Sequence, residues 1–184
     1  RYVLADFFRT NGMRYSPVVY EKSDEVVAAY AAKRCDVYST DKSGLYAQRL
    51  KLPDPDGHVI LPEILSKEPL GPVVRQGDDG WFNIVRWTLF ALVGAEELGV
   101  TSSNVGTLQQ STPDPRIKRF VGLEGNAGAN MGVDAQWAVR AIEAVGNYGE
   151  LFERHLGDGS RLKIERGLNR LWSKGGLQYA PPIR

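Results

Sequence analysis

The sequence has little of what most metal and redox sites require. Among its 184 residues are one cysteine, Cys35, and two histidines, His58 and His155, which are far apart along the chain. One thiol cannot close an intrachain disulfide, and no zinc-ligand spacing is present. Cys35 lies in an apolar run, where a thiol is more often a buried small hydrophobe or half of a disulfide than a nucleophile. We therefore expect no metal and no cofactor.

Long hydrophobic runs and an excess of one charge are absent too. No segment approaches the run of about 20 apolar residues that spans a bilayer. The formal net charge is +1, from 23 basic and 22 acidic residues, so the chain has no general attraction for nucleic acid or anionic lipid. This balance indicates a small ligand or a neutral partner. Residues 1–4 have no signal-peptide features, so we expect none in this chain, as in a mature or trimmed product.

The first part of the chain alternates predicted strands and helices. A helix is expected to end at Thr10, because Asn11-Gly12 suits the left-handed conformation at a helix C-terminus. Apolar runs predict strands at residues 17–20, 35–40, 58–65 and 70–75, and helical spacing predicts helices at residues 23–33, capped by Ser23, and 42–50. A strand-helix-strand order predicts parallel pairing with a right-handed crossover. The fold class is therefore α/β, a parallel sheet with flanking helices.

The second part of the chain is predicted to be mostly helical. Asp78 and Asp79 would begin a long helix that Gly99 ends. Its packed face is expected to comprise Trp81, Ile84, Val85, Leu89, Leu92 and Ala95. From residue 101 onward no further convincing strand is found; Asp134 would cap a helix through Val145, and Asn147 with Glu150 would form a capping box for a helix ending at Gly157. This is a helical C-terminal tail. The tryptophans are expected in the core.

Asp41 is the most informative polar position. It directly follows the predicted strand 35–40, and the carboxyl edge of a parallel sheet is where open α/β folds bind ligands. A carboxylate there could bind a cation. The simpler interpretation is that it caps the helix that begins at Lys42, and the spacing alone leaves both interpretations open. Asp36, at the start of the same strand, faces the opposite edge and is expected to be structural.

Four segments together resemble a known family, the general L-amino-acid-binding proteins of polar amino-acid ABC importers (solute-binding protein family 3). They are residues 34–45 (RCDVYSTDKSGL), 66–78 (SKEPLGPVVRQGD), 134–154 and 176–184 (GLQYAPPIR). The resemblance covers nearly the whole chain. It implies a type II periplasmic-binding fold, a two-lobed clamp that holds the amino acid between its lobes and closes before meeting a membrane permease.

The resemblance also implies roles for individual positions. Asp41 matches the carboxylate that accepts the ligand α-ammonium, and Thr40 matches an adjacent position in the pocket wall. Residues 66–70 match the return hinge, so residues 1–67 would be most of the second lobe without its first strand, and residues 68–184 the C-terminal part of the first lobe. The clamp would be incomplete, a C-terminal fragment. The N-terminal portion would carry the arginine and amides for the ligand α-carboxylate, and Cys35 could have its disulfide partner there.

The resemblance implies a binding protein without catalysis that captures L-amino acids, polar ones with broad specificity, in the periplasm. Its partners would be the ABC permease subunits and the N-terminal portion of the same protein, with no nucleic acid. Alone, this chain is not expected to bind the amino acid.

Two alternative functions stay open. A dehydratase-type enzyme on the same clamp would need a second acid–base group near Asp41, and the sequence shows none; a protein-binding module could use the helical tail.

Overall fold

A computed structural model describes residues 2–184, and within them regular structure is almost entirely helical. Nine α-helices are present in this part of the chain: α1 Tyr2–Thr10, α2 Ser23–Ala31, α3 Lys42–Arg49, α4 Asp79–Leu98, α5 Val105–Gln110, α6 Pro115–Phe120, α7 Ala127–Asn130, α8 Trp137–Val145 and α9 Tyr148–His155. Short 3-10 turns occur at Pro55–Gly57, Gly167–Asn169 and Trp172–Lys174. None of the described helices is both long enough and apolar enough to cross a bilayer.

The chain divides into two compact units, Arg1–Gly71 and Pro72–Arg184. The division falls a few residues after the predicted boundary at residue 67. Which lobe of a clamp each unit would form stays a prediction. The first unit contains α1 to α3, and the second contains α4 to α9.

The helix ends of the first unit follow their local sequence closely. Helix α1 ends at Thr10 as predicted, with Gly12 in the left-handed region at φ +64°. Helix α3 also matches its prediction to within one residue. The predicted cap of α2 was wrong by one position, because Ser23 is already helical and Lys22, which makes no side-chain capping bond, occupies the N-cap. That helix ends at Ala31, and Lys33 follows with a positive φ of 57°.

The predicted strands do not form in the described residues. Residues 17–20, 35–40, 58–65 and 70–75 have no ladder partner, and the β-type pairing present is one isolated parallel bridge between Leu171 and Gln178. Apolar runs indicate a tendency to be extended, but a strand also needs a neighbour to accept and donate its backbone hydrogen bonds. The predicted parallel sheet is therefore not present among the described residues, where these four segments have no sheet pairing.

Helix α4 is the centre of the second unit. Its predicted ends are confirmed: the Asp78 carboxylate accepts the Trp81 N–H at 3.0 Å, and Gly99 adopts φ +70° at the C-terminus. Helices α6, α8 and α9 pack against it. The buried core comprises Ala91, Ala95, Val100, Val105, Ile117, Phe120, Val121, Ala138, Val139 and Ile142.

The predicted packed face of α4 was wrong at its first position, because Trp81 is 52% exposed. Helical spacing identifies an apolar stripe but not which part of it a neighbour covers.

The predicted capping box before α9 is confirmed. The Asn147 side-chain oxygen accepts the Glu150 backbone N–H, and the Glu150 carboxylate accepts the Asn147 backbone N–H. Asp134 does not cap α8 at its N-cap, which is Gln136; it instead pairs with Arg140.

A partly buried ion pair fixes the segment after α9 to α4. The Arg166 guanidinium donates to both oxygens of the Glu96 carboxylate, at 2.6 and 3.0 Å, and the two side chains are 15% and 10% exposed. The guanidinium carbon also lies 5.5 Å from the ring centroids of Tyr148 and Phe152. Gly149 permits this arrangement, since an added Cβ would lie 3.0 Å from the Glu96 carboxyl carbon. This bidentate pair joins residues distant in sequence.

We expect Arg166→Ala to lower the free energy of unfolding of the second unit by on the order of 3 kcal/mol, because Glu96 would keep a charge without its partner. Urea unfolding followed by circular dichroism measures this. The matched control is Arg140→Ala, whose pair with Asp134 is solvent-exposed and should contribute less than about 1 kcal/mol. Equal effects of the two substitutions would contradict the importance given to the Glu96–Arg166 pair.

Candidate functional site

Asp41 lies at the start of α3 but does not cap it with its side chain. The residue occupies the N-cap position, and its backbone carbonyl accepts the Leu45 N–H at 2.8 Å. The carboxylate makes no capping hydrogen bond, and the residue is exposed. The structure therefore does not support capping as the use of this carboxylate.

Thr40 lies beside Asp41 against the first turn of α3. A Cβ placed on Gly44 would be 3.3 Å from Thr40 Cγ2 and 3.8 Å from Asp41 Cβ, so both side chains border the same glycine. Gly44 thereby leaves room for Thr40 to lie close to the helix backbone. A hydroxyl and a carboxylate thus lie together in one exposed place at the start of α3, and their oxygens can accept hydrogen bonds from a small cationic group.

Glu68 is a second carboxyl group at this place, and it was not predicted from the sequence. A side-chain hydrogen bond to Asp41 is the main reason that the pKa of Glu68 is raised above its usual range; partial desolvation and repulsion by the Asp41 charge add to this. The expectation that no second acid–base group lies near Asp41 was therefore wrong. Residues 66–70 were recognised only as a hinge, and proximity across 27 positions of chain has no local sequence signal.

The two carboxyl groups have no basic counterpart among the described residues. Neither Asp41 nor Glu68 forms an ion pair within 4 Å in that part of the chain. Because the pKa of Glu68 is raised in the folded protein, protonation of Glu68 stabilises the fold at low pH, and this contribution is lost as the pH rises through that pKa. Above that pH two like charges lie together, and a bound cation would relieve their repulsion.

The other polar groups singled out from the sequence are not brought to this place. His58 is hydrogen-bonded to the Tyr30 hydroxyl at 2.8 Å, and His155 lies on α9 in the other unit. Cys35 is a half-buried free thiol in this structure. No group of three or more potential metal-ligating side chains occurs in residues 2–184.

The second unit contains a separate cavity of about 260 Å³. Trp87 and Trp137, both half-buried, contribute to its wall together with Arg86 and Arg184. The expectation that all tryptophans lie in the core was wrong for Trp172, which is 51% exposed, as it was for Trp81. None of the predicted site residues lines this cavity.

Comparison with known proteins gives relatives that span nearly all of this chain. The general L-amino-acid-binding periplasmic protein of Rhizobium johnstonii is 61% identical over 183 residues, which are 98% of this chain and 53% of that protein. The glutamate/glutamine/aspartate/asparagine-binding protein of Rhodobacter capsulatus is 52% identical over 181 residues, 98% of this chain and 54% of that protein. No family model matches the sequence.

A solved structure is similar as well. An ABC transporter periplasmic binding protein from Brucella ovis with glutathione bound is 55% identical, with a TM-score of 0.92 over 100% of this chain and 57% of that one. At this identity and similarity the chain shares the fold of the corresponding part of a periplasmic binding protein. The chain spans about half the length of the curated relatives it matches.

The carboxyl pair predicts a specific titration. In Asp41→Ala, the pKa of Glu68 should fall toward that of an ordinary glutamate, because its main hydrogen-bond partner and the repelling charge are both removed. Side-chain carboxyl NMR across an acid titration measures it. The control is Asp36→Ala, which removes an exposed carboxylate of the same unit. Asp36 is not among the causes of the raised pKa of Glu68, so this substitution should leave that pKa unchanged. An unaltered Glu68 titration in Asp41→Ala would contradict the pairing.

Proposed function

Because this chain is homologous to the amino-acid-binding periplasmic proteins of ABC transporters, we propose that it is part of a substrate-binding component that captures L-amino acids for an ABC importer. The relatives include a general L-amino-acid-binding protein and one named for binding glutamate, glutamine, aspartate and asparagine. We extend that ligand class, polar L-amino acids with broad specificity, to this chain.

The observation that carries the proposal is the Asp41 carboxylate, which makes no capping hydrogen bond and lies beside Thr40 and Glu68. The amino acids named for the relatives, and glutathione in the similar structure, share a primary α-ammonium group next to a carboxylate. An ammonium group removed from water needs an acidic partner, since an unpaired buried charge is very costly. We propose that Asp41 accepts the ligand ammonium, with the Thr40 hydroxyl as a neighbouring contact.

The proposed architecture is a two-lobed clamp of the type II periplasmic-binding fold. We assign residues 1–67 to the second lobe and residues 68–184 to the first, with the hinge at residues 66–70. The arginine and the backbone amides that would bind the ligand α-carboxylate are assigned to the N-terminal portion, in the length of the relatives that this chain does not match. A ligand that binds the closed clamp better than the open one shifts the equilibrium toward closure.

The proposed location is the periplasm, and the proposed membrane partners are the permease subunits of the importer. Both follow from the relatives, which are named as periplasmic proteins or as ABC transporter binding proteins. An oxidising periplasm would suit a disulfide between Cys35 and a cysteine in the unmatched length. The proposed role requires no cofactor, no metal and no catalysis.

One observation favours a second candidate function, an enzyme of the dehydratase type on the same clamp. Glu68, with its raised pKa, is the kind of acid–base group that such an enzyme would need near Asp41. Binding of an unchanged amino acid distinguishes the receptor from the enzyme. Chemical turnover of the bound amino acid, followed by mass spectrometry, would favour the enzyme instead.

We expect Asp41→Asn to lower the affinity for L-glutamine and L-glutamate by at least about a hundredfold, because the ligand ammonium would lose its charged partner. The measurement is titration calorimetry on a full-length chimera, the Rhizobium johnstonii relative with its matched 183 residues replaced by this chain. Asp36→Asn is the matched control and should bind normally. Retained affinity in Asp41→Asn would contradict the assigned role, and absence of binding to all common L-amino acids would contradict the function.

A further inference from the structure

The cavity of about 260 Å³ in the second unit has no part in the proposed amino-acid site. Its wall is formed by α4, α7 and the residue after it, the first residue of α8 and residues 183–184. Thr40, Asp41 and Glu68 all lie in the first unit. The cavity is smaller than the about 300–1,000 Å³ typical of sites for drug-sized ligands, so a ligand of this cavity has to be a small molecule.

Large apolar side chains form much of the wall. Trp87 and Trp137 are both half-buried, and so are Met131 and Ile183, which contribute to the same wall. Indole rings favour offset-stacked or edge-to-face contacts with another aromatic ring, and a methionine sulfur also contacts aromatic rings favourably. This part of the cavity therefore suits a small aromatic ring.

The charged side chains of the wall are both basic. Arg86 and Arg184 line the cavity, and no described aspartate or glutamate does. Neither arginine forms an ion pair within 4 Å among the residues that the structure describes. A guanidinium can bind a carboxylate through two parallel N–H donors. The wall therefore favours a ligand with an acidic group over one with a basic group.

Arg86 is oriented by its own helix. Its Nη2 donates to Asn83 Oδ1 at 2.8 Å, and its guanidinium carbon lies 5.0 Å from the centroid of the Phe82 ring. A guanidinium has five N–H donors, so several are left for a ligand. Because these contacts already restrict the Arg86 side chain, binding of a carboxylate has a smaller entropic cost.

We propose that this cavity binds a small aromatic monocarboxylate, with the carboxylate at Arg86 and the ring against Trp87 and Trp137. The site goes beyond the amino-acid capture proposed above, because this ligand needs no ammonium group and the wall has no acidic side chain to receive one. Phenylacetate is a suitable probe, since it combines one ring with one carboxylate in a small molecule.

NMR of the indole N–H signals tests the site. In the full-length chimera described above, the signals of Trp87, Trp137 and Trp172 are assigned by replacing each tryptophan in turn with phenylalanine. We expect phenylacetate to shift the Trp87 and Trp137 signals saturably and to leave the signal of Trp172, which does not line the cavity, unchanged. Absence of saturable shifts, or an equal shift at Trp172, would overturn the proposal.

Two matched substitutions test the role of Arg86. Arg86→Gln should weaken phenylacetate binding about tenfold or more, because charge-assisted hydrogen bonds are lost. Arg161→Gln, at another exposed arginine of the second unit that is not in the wall, should not. Both side chains are exposed, so neither change should alter the helical circular dichroism. Equal phenylacetate affinities of the two variants would contradict recognition of the carboxylate by Arg86.

Competition separates this cavity from the amino-acid site. Saturating L-glutamine should leave the phenylacetate shifts in place, because the two proposed sites lie in different units. Loss of the shifts on adding L-glutamine would assign phenylacetate to the amino-acid site and overturn the proposal. The same shifts with inorganic phosphate alone would show a nonspecific anion site and would overturn it too. Phenylacetate shifts without any binding of L-glutamine would support the cavity site while the proposed amino-acid function failed.

Discussion

Backbone hydrogen bonding is the constraint on which the order of this chain depends. A helix satisfies most of its amide and carbonyl groups from within its own segment, whereas a strand needs a neighbour. The helices α1 to α9 therefore form, while the apolar runs between α1 and α4 form no ladders among the described residues. In the second unit, the burial of Ala91 and Ala95 against α8 adds a packed core to that local order.

The parts of the fold that the sequence predicted are those with local causes. Gly99 ends α4 because its backbone adopts a left-handed conformation, and Asn147 with Glu150 caps α9 through bonds three residues apart. Errors arose where the cause was distant. Trp81 shares a helical stripe with packed residues, yet no residue within the described chain covers it fully. Residues 17–20, 35–40 and 58–65 have strand composition, but composition does not supply the neighbouring strand.

The candidate site shows the same division. The sequence predicted that Asp41 lies at the start of a helix, because it follows an apolar run. It did not predict that the Asp41 side chain makes no capping hydrogen bond. Its proximity to Glu68 depends on how residues 66–70 return toward α3, which no periodicity reports. The result is an exposed Glu68 whose pKa is raised above its usual range by a side-chain hydrogen bond to Asp41, by desolvation and by the Asp41 charge.

The contact between Glu96 and Arg166 spans 70 positions of sequence. Closing a loop of that length has an entropic cost that local helices do not share. In the folded chain the guanidinium also lies beside the Tyr148 and Phe152 rings. We therefore expect docking of the segment after α9 onto α4 to be slower than formation of the individual helices.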